Sequence, residues 1–150
     1  MTADNELIKL YSNRILALAA DIPLTNRLED AQATVKRRAP LCGSTVTVDL
    51  CLDDGQVAKY GQDVKACALG QASASVVGAN IIGCTHMQVL HARDQLDAML
   101  KDDGPTPDAP FDGLEVLRPA RGFKNRHASI LLALTCTLEA FDEAQRANCA

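Results

Sequence analysis

The chain has 150 residues, 47% of them hydrophobic, which suffices for one domain with a buried core but not for two. Its 15 basic and 19 acidic residues give a net charge of −4 without any basic run, which argues against nucleic acid and against anionic membranes as partners. The sequence shows no apolar stretch of about 18–20 residues and no export signal, so we expect a cytoplasmic protein with a single domain, residues 1–150.

The first half of the chain predicts one helix followed by three strands. Apolar residues at helical spacing predict a helix over Asn5–Ala20 with Asp4 as its N-cap. Thr34–Arg38 reads as a strand at an exposed edge of the sheet, because it ends in three basic residues. Thr45–Leu52 alternates cleanly, so that one face is apolar and the other carries Asp49 and Cys51.

A hairpin at Asp53-Asp54-Gly55 should return the chain as a third strand, Val57–Ala66, with a bulge at Gly61. The three strands then form an antiparallel meander. We expect Cys67 in the first turn of the helix that follows.

The second half predicts helices. The small-residue helix that contains Cys67 runs to about Ile82, with Gly83 as its C-cap. A capping-box pattern at Thr85 opens the next helix, which ends near Asp102. Residues 105–122 read as a loop with one short helix over 111–117, and residues 124–146 as the last helix, whose apolar line begins at His127. The fold class is therefore α+β, a three-stranded antiparallel meander packed against helices in the order α-βββ-αα-α.

Six cysteines carry the chemical interest of this sequence. In a chain without an export signal, metal or sulfur chemistry is favoured over disulfides. Two of them stand where extended chain gives way to another structure, at the rim of the predicted sheet. The two segments are Pro40-Leu41-Cys42-Gly43-Ser44 and Ala66-Cys67-Ala68-Leu69-Gly70-Gln71-Ala72-Ser73-Ala74-Ser75.

These two segments, together with Arg126-His127-Ala128-Ser129, resemble the NifU/IscU/SufU family of iron–sulfur cluster assembly scaffolds over nearly the whole chain. The long insert before the last helix looks most like the Suf branch. The family pattern has an aspartate where this chain has Ser44, and a third cysteine where it has Ala128.

The resemblance implies a non-enzymatic scaffold or carrier that accepts sulfur from a cysteine desulfurase on Cys42 and Cys67 and passes a product to recipient apo-proteins. It also implies that Cys42, Cys67 and His127 bind iron or a transient [2Fe–2S] cluster, with zinc as an alternative occupant. Thiolates accept sulfur and bind iron as soft ligands, and three ligands leave an open fourth position. Sharing of a cluster by a homodimer stays open.

Several alternatives remain at this stage. Without a thiol at position 128, the chain could carry a persulfide and hold no cluster, or be a degenerate paralogue that acts only through protein contacts. A Cys–His hydrolase is disfavoured, since no oxyanion loop accompanies the pair. Cys42 could be a small buried hydrophobe and His127 a structural histidine at a helix start.

The remaining cysteines and histidines are interpreted as non-ligands. No CxxC motif occurs, and Cys136 is expected on the opposite face of the last helix from His127. Two histidines of the third predicted helix lie five positions apart, a spacing that does not align them. The residues in this group are Cys51, Cys84, Cys136, Cys149, His86 and His91.

Overall fold

The computed structural model describes residues 12–40 and 43–149, which form a three-stranded antiparallel sheet packed against helices. The α+β class and the predicted order of elements are confirmed. The helices and strands are α1 (Asn13–Ala20), β1 (Ala33–Arg38), β2 (Thr45–Asp53), β3 (Gln56–Lys65), α2 (Ala68–Asn80), α3 (His86–Asp102), two 3-10 segments (Asp112–Gly122 and Lys124–Arg126) and α4 (His127–Cys149).

The strands follow the order β1-β2-β3, so that β1 is an edge strand as predicted. Asp54 and Gly55 form the hairpin with φ of 53° and 77°, the left-handed conformation that a tight hairpin requires. The predicted bulge at Gly61 is wrong, because Gly61 pairs regularly with Asp49 and the register shifts near Cys51 instead. Gly61 lacks a side chain for another reason: a Cβ there would lie 2.6 Å from the backbone oxygen of Asn26.

That approach belongs to the connection between α1 and β1, which crosses the outer face of the sheet. Asp49 is on this face, as predicted, yet its exposed fraction is 0%. Its carboxylate accepts hydrogen bonds from Arg27 Nε (2.5 Å) and Nη2 (3.0 Å), from Thr34 Oγ1 (2.7 Å) and from the Leu28 N–H (3.0 Å). The buried carboxylate therefore holds the connection between α1 and β1 against the outer face of the sheet through these hydrogen bonds.

The inner face of the sheet packs on α4, which also contacts α2 and α3. The predicted apolar line of α4 is buried at Leu134, Leu138 and Phe141. The Cys136 thiol donates to the backbone oxygens of Val35 (3.2 Å) and Val46 (3.4 Å), which places it against the sheet. Cys136 is therefore enclosed in the core.

Two helix boundaries differ from the prediction. Ser12 is extended (φ −58°, ψ 161°), and its hydroxyl caps α1 by accepting the Ile15 N–H at 3.3 Å, so the predicted continuous helix over 5–20 is wrong at this point. The N-cap predicted at Asp4 lies outside the described residues. Helix α2 ends at Asn80, before the predicted cap at Gly83, whose φ of 88° serves the turn that follows.

The remaining boundaries follow the sequence more closely. The capping box at Thr85 is confirmed, because its hydroxyl accepts the Gln88 N–H and the Gln88 side chain accepts the Thr85 N–H. The predicted short helix within the loop is a longer 3-10 segment, and α4 begins at His127 after a 3-10 turn. Within the described part of the chain, no helix combines the length and the apolar character that a membrane crossing requires.

Candidate functional site

Cys67 lies between β3 and α2 and is the N-cap of α2, with φ −66° and ψ 169°. The sequence predicted it in the first turn of this helix, one position further along. Its thiol is half-buried. Strand β3 ends at Lys65, so the sulfur stands at the edge of the sheet where the chain turns into the helix.

The surroundings of Cys67 favour its thiolate. Burial raises the pKa of the thiol, but the N–H of Gly70, the Ser129 hydroxyl, the N–H of Leu69 and the Arg126 guanidinium together outweigh burial and hold the pKa below its ordinary value. The helix N-terminus thus supplies two of the stabilising groups, as expected for an N-cap position. A thiolate is the nucleophilic and metal-binding form of cysteine.

The first turn of α4 places Ser129 against this sulfur. Its hydroxyl lies 3.6 Å from Cys67 Sγ and 2.8 Å from the hydroxyl of Ser44. Both serines are buried, with exposed fractions of 1% and 3%. Sequence reasoning missed Ser129, since it focused on Ala128, which is partly buried against the core. The serine directly after the expected third thiol, on the same helical turn, was the available signal.

The close approach of α2 and α4 explains why both helices are rich in small residues here. A Cβ on Gly70 would lie 2.6 Å from Ser129 Oγ, and the Ser73 hydroxyl donates to the Ile130 backbone oxygen at 2.7 Å. The predicted role of the small-residue helix, to let neighbouring backbone approach, is confirmed by this contact. It brings the start of α4 to Cys67.

His127 begins α4 and is 7% exposed. Its Nε2 lies 3.1 Å from the backbone oxygens of both Ala120 and Arg121. Carbonyl oxygens only accept, so Nε2 carries the hydrogen, and a neutral ring then has its lone pair on Nδ1. These hydrogen bonds are sufficient for a histidine with a purely structural role. They are also typical of metal-binding histidines, in which the ring nitrogen that does not bind the metal donates to a backbone oxygen and orients the ring.

Cys42 lies outside the described residues, but both flanks of its turn are described. The Ala39 N–H donates to the Ser44 carbonyl at 2.8 Å, and the Gly43 N–H donates to the Ala39 carbonyl at 3.3 Å. Gly43 has a φ of 69°, the left-handed conformation that favours glycine. Ser44 lies on the other side of the turn. Its hydroxyl contacts that of Ser129, which in turn contacts the Cys67 sulfur.

No set of three or more Cys, His, Asp or Glu side chains that could hold a metal occurs among residues 12–40 and 43–149. Cys84 and Cys136 are buried, and Cys51 contacts the Asp30 backbone oxygen at 3.4 Å on the outer face. The side chain of Cys149 is outside the described part. The predicted metal set thus depends on Cys42.

The two histidines of α3 have separate surface partners. His86 Nε2 lies 3.0 Å from Asp142 on α4, and His91 Nε2 lies 3.1 Å from Asp108. They do not face a common point, in line with their spacing in the sequence.

Among solved structures, the N-terminal part of a NifU-like nitrogen-fixation protein from Brucella abortus is 38% identical, with a TM-score of 0.91 over 94% of this chain and 98% of that one. A candidate iron–sulfur cluster assembly scaffold protein for the SUF system from the thermophile Fervidobacterium islandicum AW-1 is 20% identical, with a TM-score of 0.79 over 89% of this chain and 98% of that one.

A protein described as hypothetical is also 20% identical, with a TM-score of 0.79 over 90% of this chain and 98% of that one. These last two likenesses show the fold alone. No protein-family model matches the sequence, and no curated protein is similar to it. At 38% identity over nearly the full length of both chains, the comparison with the Brucella protein shows that this chain belongs to the family of NifU-like N-terminal domains.

Proposed function

We propose that the protein is a scaffold or carrier in iron–sulfur cluster assembly, with no catalytic turnover of its own. The observation that carries this proposal is the half-buried Cys67, whose thiolate is stabilised by the start of α2 and by Ser129. It stands within a fold shared with a NifU-like protein and with a candidate SUF scaffold. The N-terminal cap of a helix suits a thiol that must act as an anion.

The first step of the proposed function is sulfur acceptance. The Cys67 thiolate attacks the terminal sulfur of a persulfide on a cysteine desulfurase. A bond forms between Sγ and that sulfur, while the donor's S–S bond breaks and its cysteine leaves as a thiolate. Cys67 is then a persulfide and the donor is restored. Cys42, which precedes Gly43 in the sequence, is the second proposed acceptor.

The second step is the holding of iron or a transient [2Fe–2S] cluster for recipient apo-proteins. Cys42, Cys67 and His127 are the proposed ligands, with Nδ1 as the binding atom of the histidine. Two thiolates and an imidazole also suit zinc, which is therefore a proposed alternative occupant. A three-ligand set leaves one position open, which suits cargo that must be released.

Anaerobic reconstitution with ferrous iron and sulfide tests this function. We expect visible charge-transfer absorbance and acid-labile sulfide in the wild-type protein, and loss of both in Cys42→Ser and Cys67→Ser. Cys51→Ser is the matched control, because its thiol lies on the outer face of the sheet, where it donates a hydrogen bond to the backbone oxygen of Asp30. A colourless product that contains no iron would contradict the proposed cluster binding.

A second candidate is a sulfur carrier that holds no cluster. The favouring observation is that position 128, where the family pattern has a third cysteine, is an alanine, so that the first turn of α4 offers Cys67 the Ser129 hydroxyl and no thiolate. Incubation with a cysteine desulfurase and cysteine, followed by mass spectrometry, would show 32 Da of added sulfur, about one sulfur atom, on the Cys67 peptide. Added sulfur together with failed reconstitution favours this candidate.

A further inference from the structure

Basic side chains gather at the end of the sheet where Cys67 emerges. Arg38, the last residue of β1, pairs with Thr45 on β2, and Thr45 pairs with Lys65, the last residue of β3. Since neighbouring strands are about 4.8 Å apart, Arg38 and Lys65 lie about 10 Å from each other across this row. Both side chains are exposed.

A third cation lies near the sulfur. Arg126, just before α4, is close enough to Cys67 to stabilise its thiolate. Arg38 reaches toward the neighbouring turn, where its Nη2 lies 3.5 Å from the position that a Cβ on Gly43 would take. Lys65 precedes Cys67 by two residues. We call Arg38, Lys65 and Arg126 the basic rim.

Within the described part of the chain, the basic rim has no carboxylate partner, although most other arginines do. The ion pairs of the structure involve Arg27, Arg37, Arg93, Arg118 and Arg121 instead. Two residues further from this end of the sheet, Lys36 on β1 pairs with Thr47 on β2, which pairs with Asp63 on β3. The positive charge of Lys36 and the negative charge of Asp63 cancel, so they add no net charge to the rim.

The opposite end of the sheet is acidic. Asp53, the last residue of β2, and Asp54, in the hairpin turn, lie there, with Lys59 as the nearby cation on β3. The whole chain carries a net charge of −4, so the basic rim opposes the overall charge of the molecule. Such polarity orients an incoming charged partner, because the field attracts acidic groups at one end and repels them at the other.

We propose that the basic rim docks a carboxylate-rich surface of the protein that delivers sulfur to Cys67. This inference rests on the proposed sulfur acceptance and adds the chemistry of the partner's surface. The three cations, which have no carboxylate partner among the described residues, lie at the end of the sheet from which Cys67 emerges, and steering by such charges raises association rates by about 10-fold to 1,000-fold. Arg38 and Lys65 act before sulfur transfer and take no part in bond formation, whereas Arg126 also stabilises the attacking thiolate.

The test compares two charge reversals on the same face of the same strand. Lys65→Glu lies in the basic rim, and Lys59→Glu lies near the hairpin, about 20 Å away at about 3.4 Å per residue. Each variant is incubated with a limiting cysteine desulfurase from the same organism and cysteine, and the initial rate of sulfur addition to the Cys67 peptide is measured by mass spectrometry. Thermal melting by circular dichroism confirms that the variants are folded.

We expect Lys65→Glu to lower this rate about 10-fold at about 0.01 M salt, and Arg38→Glu/Lys65→Glu to lower it further, with Lys59→Glu near wild type. The difference should shrink at about 0.15 M salt, because the Debye length falls from about 30 Å to about 8 Å. Equal rates for Lys65→Glu and Lys59→Glu at both salt concentrations would overturn the inference.

A second arm replaces the desulfurase by the persulfide of 2-mercaptoethanol, a small donor that has no carboxylate. If the rim docks a protein, Lys65→Glu loses much less rate with this donor than with the desulfurase, whereas an equal fold loss with both donors would show that Lys65 acts on the reactivity of Cys67 and would overturn protein docking. If the wild-type protein takes sulfur from neither donor, the proposed sulfur acceptance itself is wrong. The two failures are therefore distinguishable.

Discussion

At the scale of single residues, three cysteines differ in how far their surroundings favour the thiolate. Burial raises the pKa of the Cys67 thiol, but the hydrogen bonds to its sulfur outweigh burial and lower the pKa below its ordinary value. Burial raises the pKa of Cys84 and raises that of Cys136 to about 12. We therefore expect iodoacetamide at neutral pH to alkylate Cys67 much faster than the other two, because the thiolate is the reacting form. Peptide mass spectrometry over time measures the order.

Cys136 is the internal reference for this experiment. It is fully buried and bonded to two strand carbonyls, so it should stay unmodified until the protein unfolds in urea. Modification of Cys136 in the folded protein at a rate equal to that of Cys67 would contradict the assigned environments.

The buried carboxylate of Asp49 holds the connection between α1 and β1 against the sheet. Asp49→Asn replaces one accepting oxygen by a donor that faces Arg27 and Thr34, and hydrogen bonds to a charged group are worth about 2 kcal/mol. We expect the free energy of unfolding in urea at pH 7 to fall by about that amount or more. Asp53→Asn, exposed at the end of the same strand, should change it by less than about 0.5 kcal/mol.

The wild-type protein and Asp49→Asn should also differ in how their free energy of unfolding depends on pH. Burial raises the pKa of Asp49, but its hydrogen bonds outweigh this and lower the pKa below its ordinary 3.8. A depressed pKa stabilises the folded state fully above the ordinary value and loses that effect as pH falls through the folded value. The difference in unfolding free energy between wild type and Asp49→Asn should therefore be constant above about pH 5 and shrink below about pH 4. A difference that grows in acid would refute this assignment.

At the scale of elements, the contact between α2 and α4 positions Cys67. Gly70→Ala would place a Cβ 2.6 Å from Ser129 Oγ and 3.2 Å from the Ser129 backbone oxygen, so one helix must shift. Overpacking of this kind costs about 1–3 kcal/mol, and the shift should also slow alkylation of Cys67, because Ser129 and the Gly70 N–H stabilise its thiolate.

Gly122→Ala is the matched control for this substitution, since nothing lies within 4 Å of the added carbon. Urea unfolding and the alkylation rate of Cys67 together measure the effect of Gly70→Ala. Unchanged stability and unchanged reactivity in Gly70→Ala would show that the helices are not held by this contact.

Elements with strong local signals were predictable from the sequence. The alternation of β2, the Asp-Gly hairpin and the Thr85 capping box each depend on a few adjacent residues, and all three are confirmed. The errors of prediction arise where the local structure depends on contacts with residues that are distant in the sequence. Gly61 is small because Asn26, far away in sequence, passes over it.

The candidate site shows the same division. Cys67 at the start of a helix could be predicted, since both the helix and the thiol are local features. Ser129 could not be found from spacing alone, because its contact with Ser44 joins residues 85 positions apart. The orientation of the His127 ring likewise depends on the backbone oxygens of the preceding 3-10 segment.

At the scale of the whole molecule, the candidate site exists only when three distant parts of the chain are folded together. Ser44 follows the turn after β1, Cys67 follows β3 and Ser129 lies in the first turn of α4, and their side chains form one continuous row of contacts. An unfolded chain cannot preserve this arrangement. A ligand that bridges these parts must therefore stabilise the folded state as a whole.

Zinc is a suitable probe of this coupling, since it has no redox chemistry and accepts thiolate and imidazole ligands. At 100 times its dissociation constant, a ligand that binds only the folded state adds about 2.7 kcal/mol to the free energy of unfolding. For a chain of 150 residues this raises the midpoint of thermal unfolding by about 5–10 °C. We expect this rise in the wild type and in Cys51→Ser.

Cys42→Ser and Cys67→Ser should lose the zinc effect, and His127→Ala should weaken it, because each removes one proposed ligand. Scanning calorimetry with and without zinc, and with a chelator added last, measures the shift and its reversal. An equal rise in Cys67→Ser and Cys51→Ser would place the zinc elsewhere. It would also refute the proposal that a metal binds where the turn after β1, the end of β3 and the start of α4 meet.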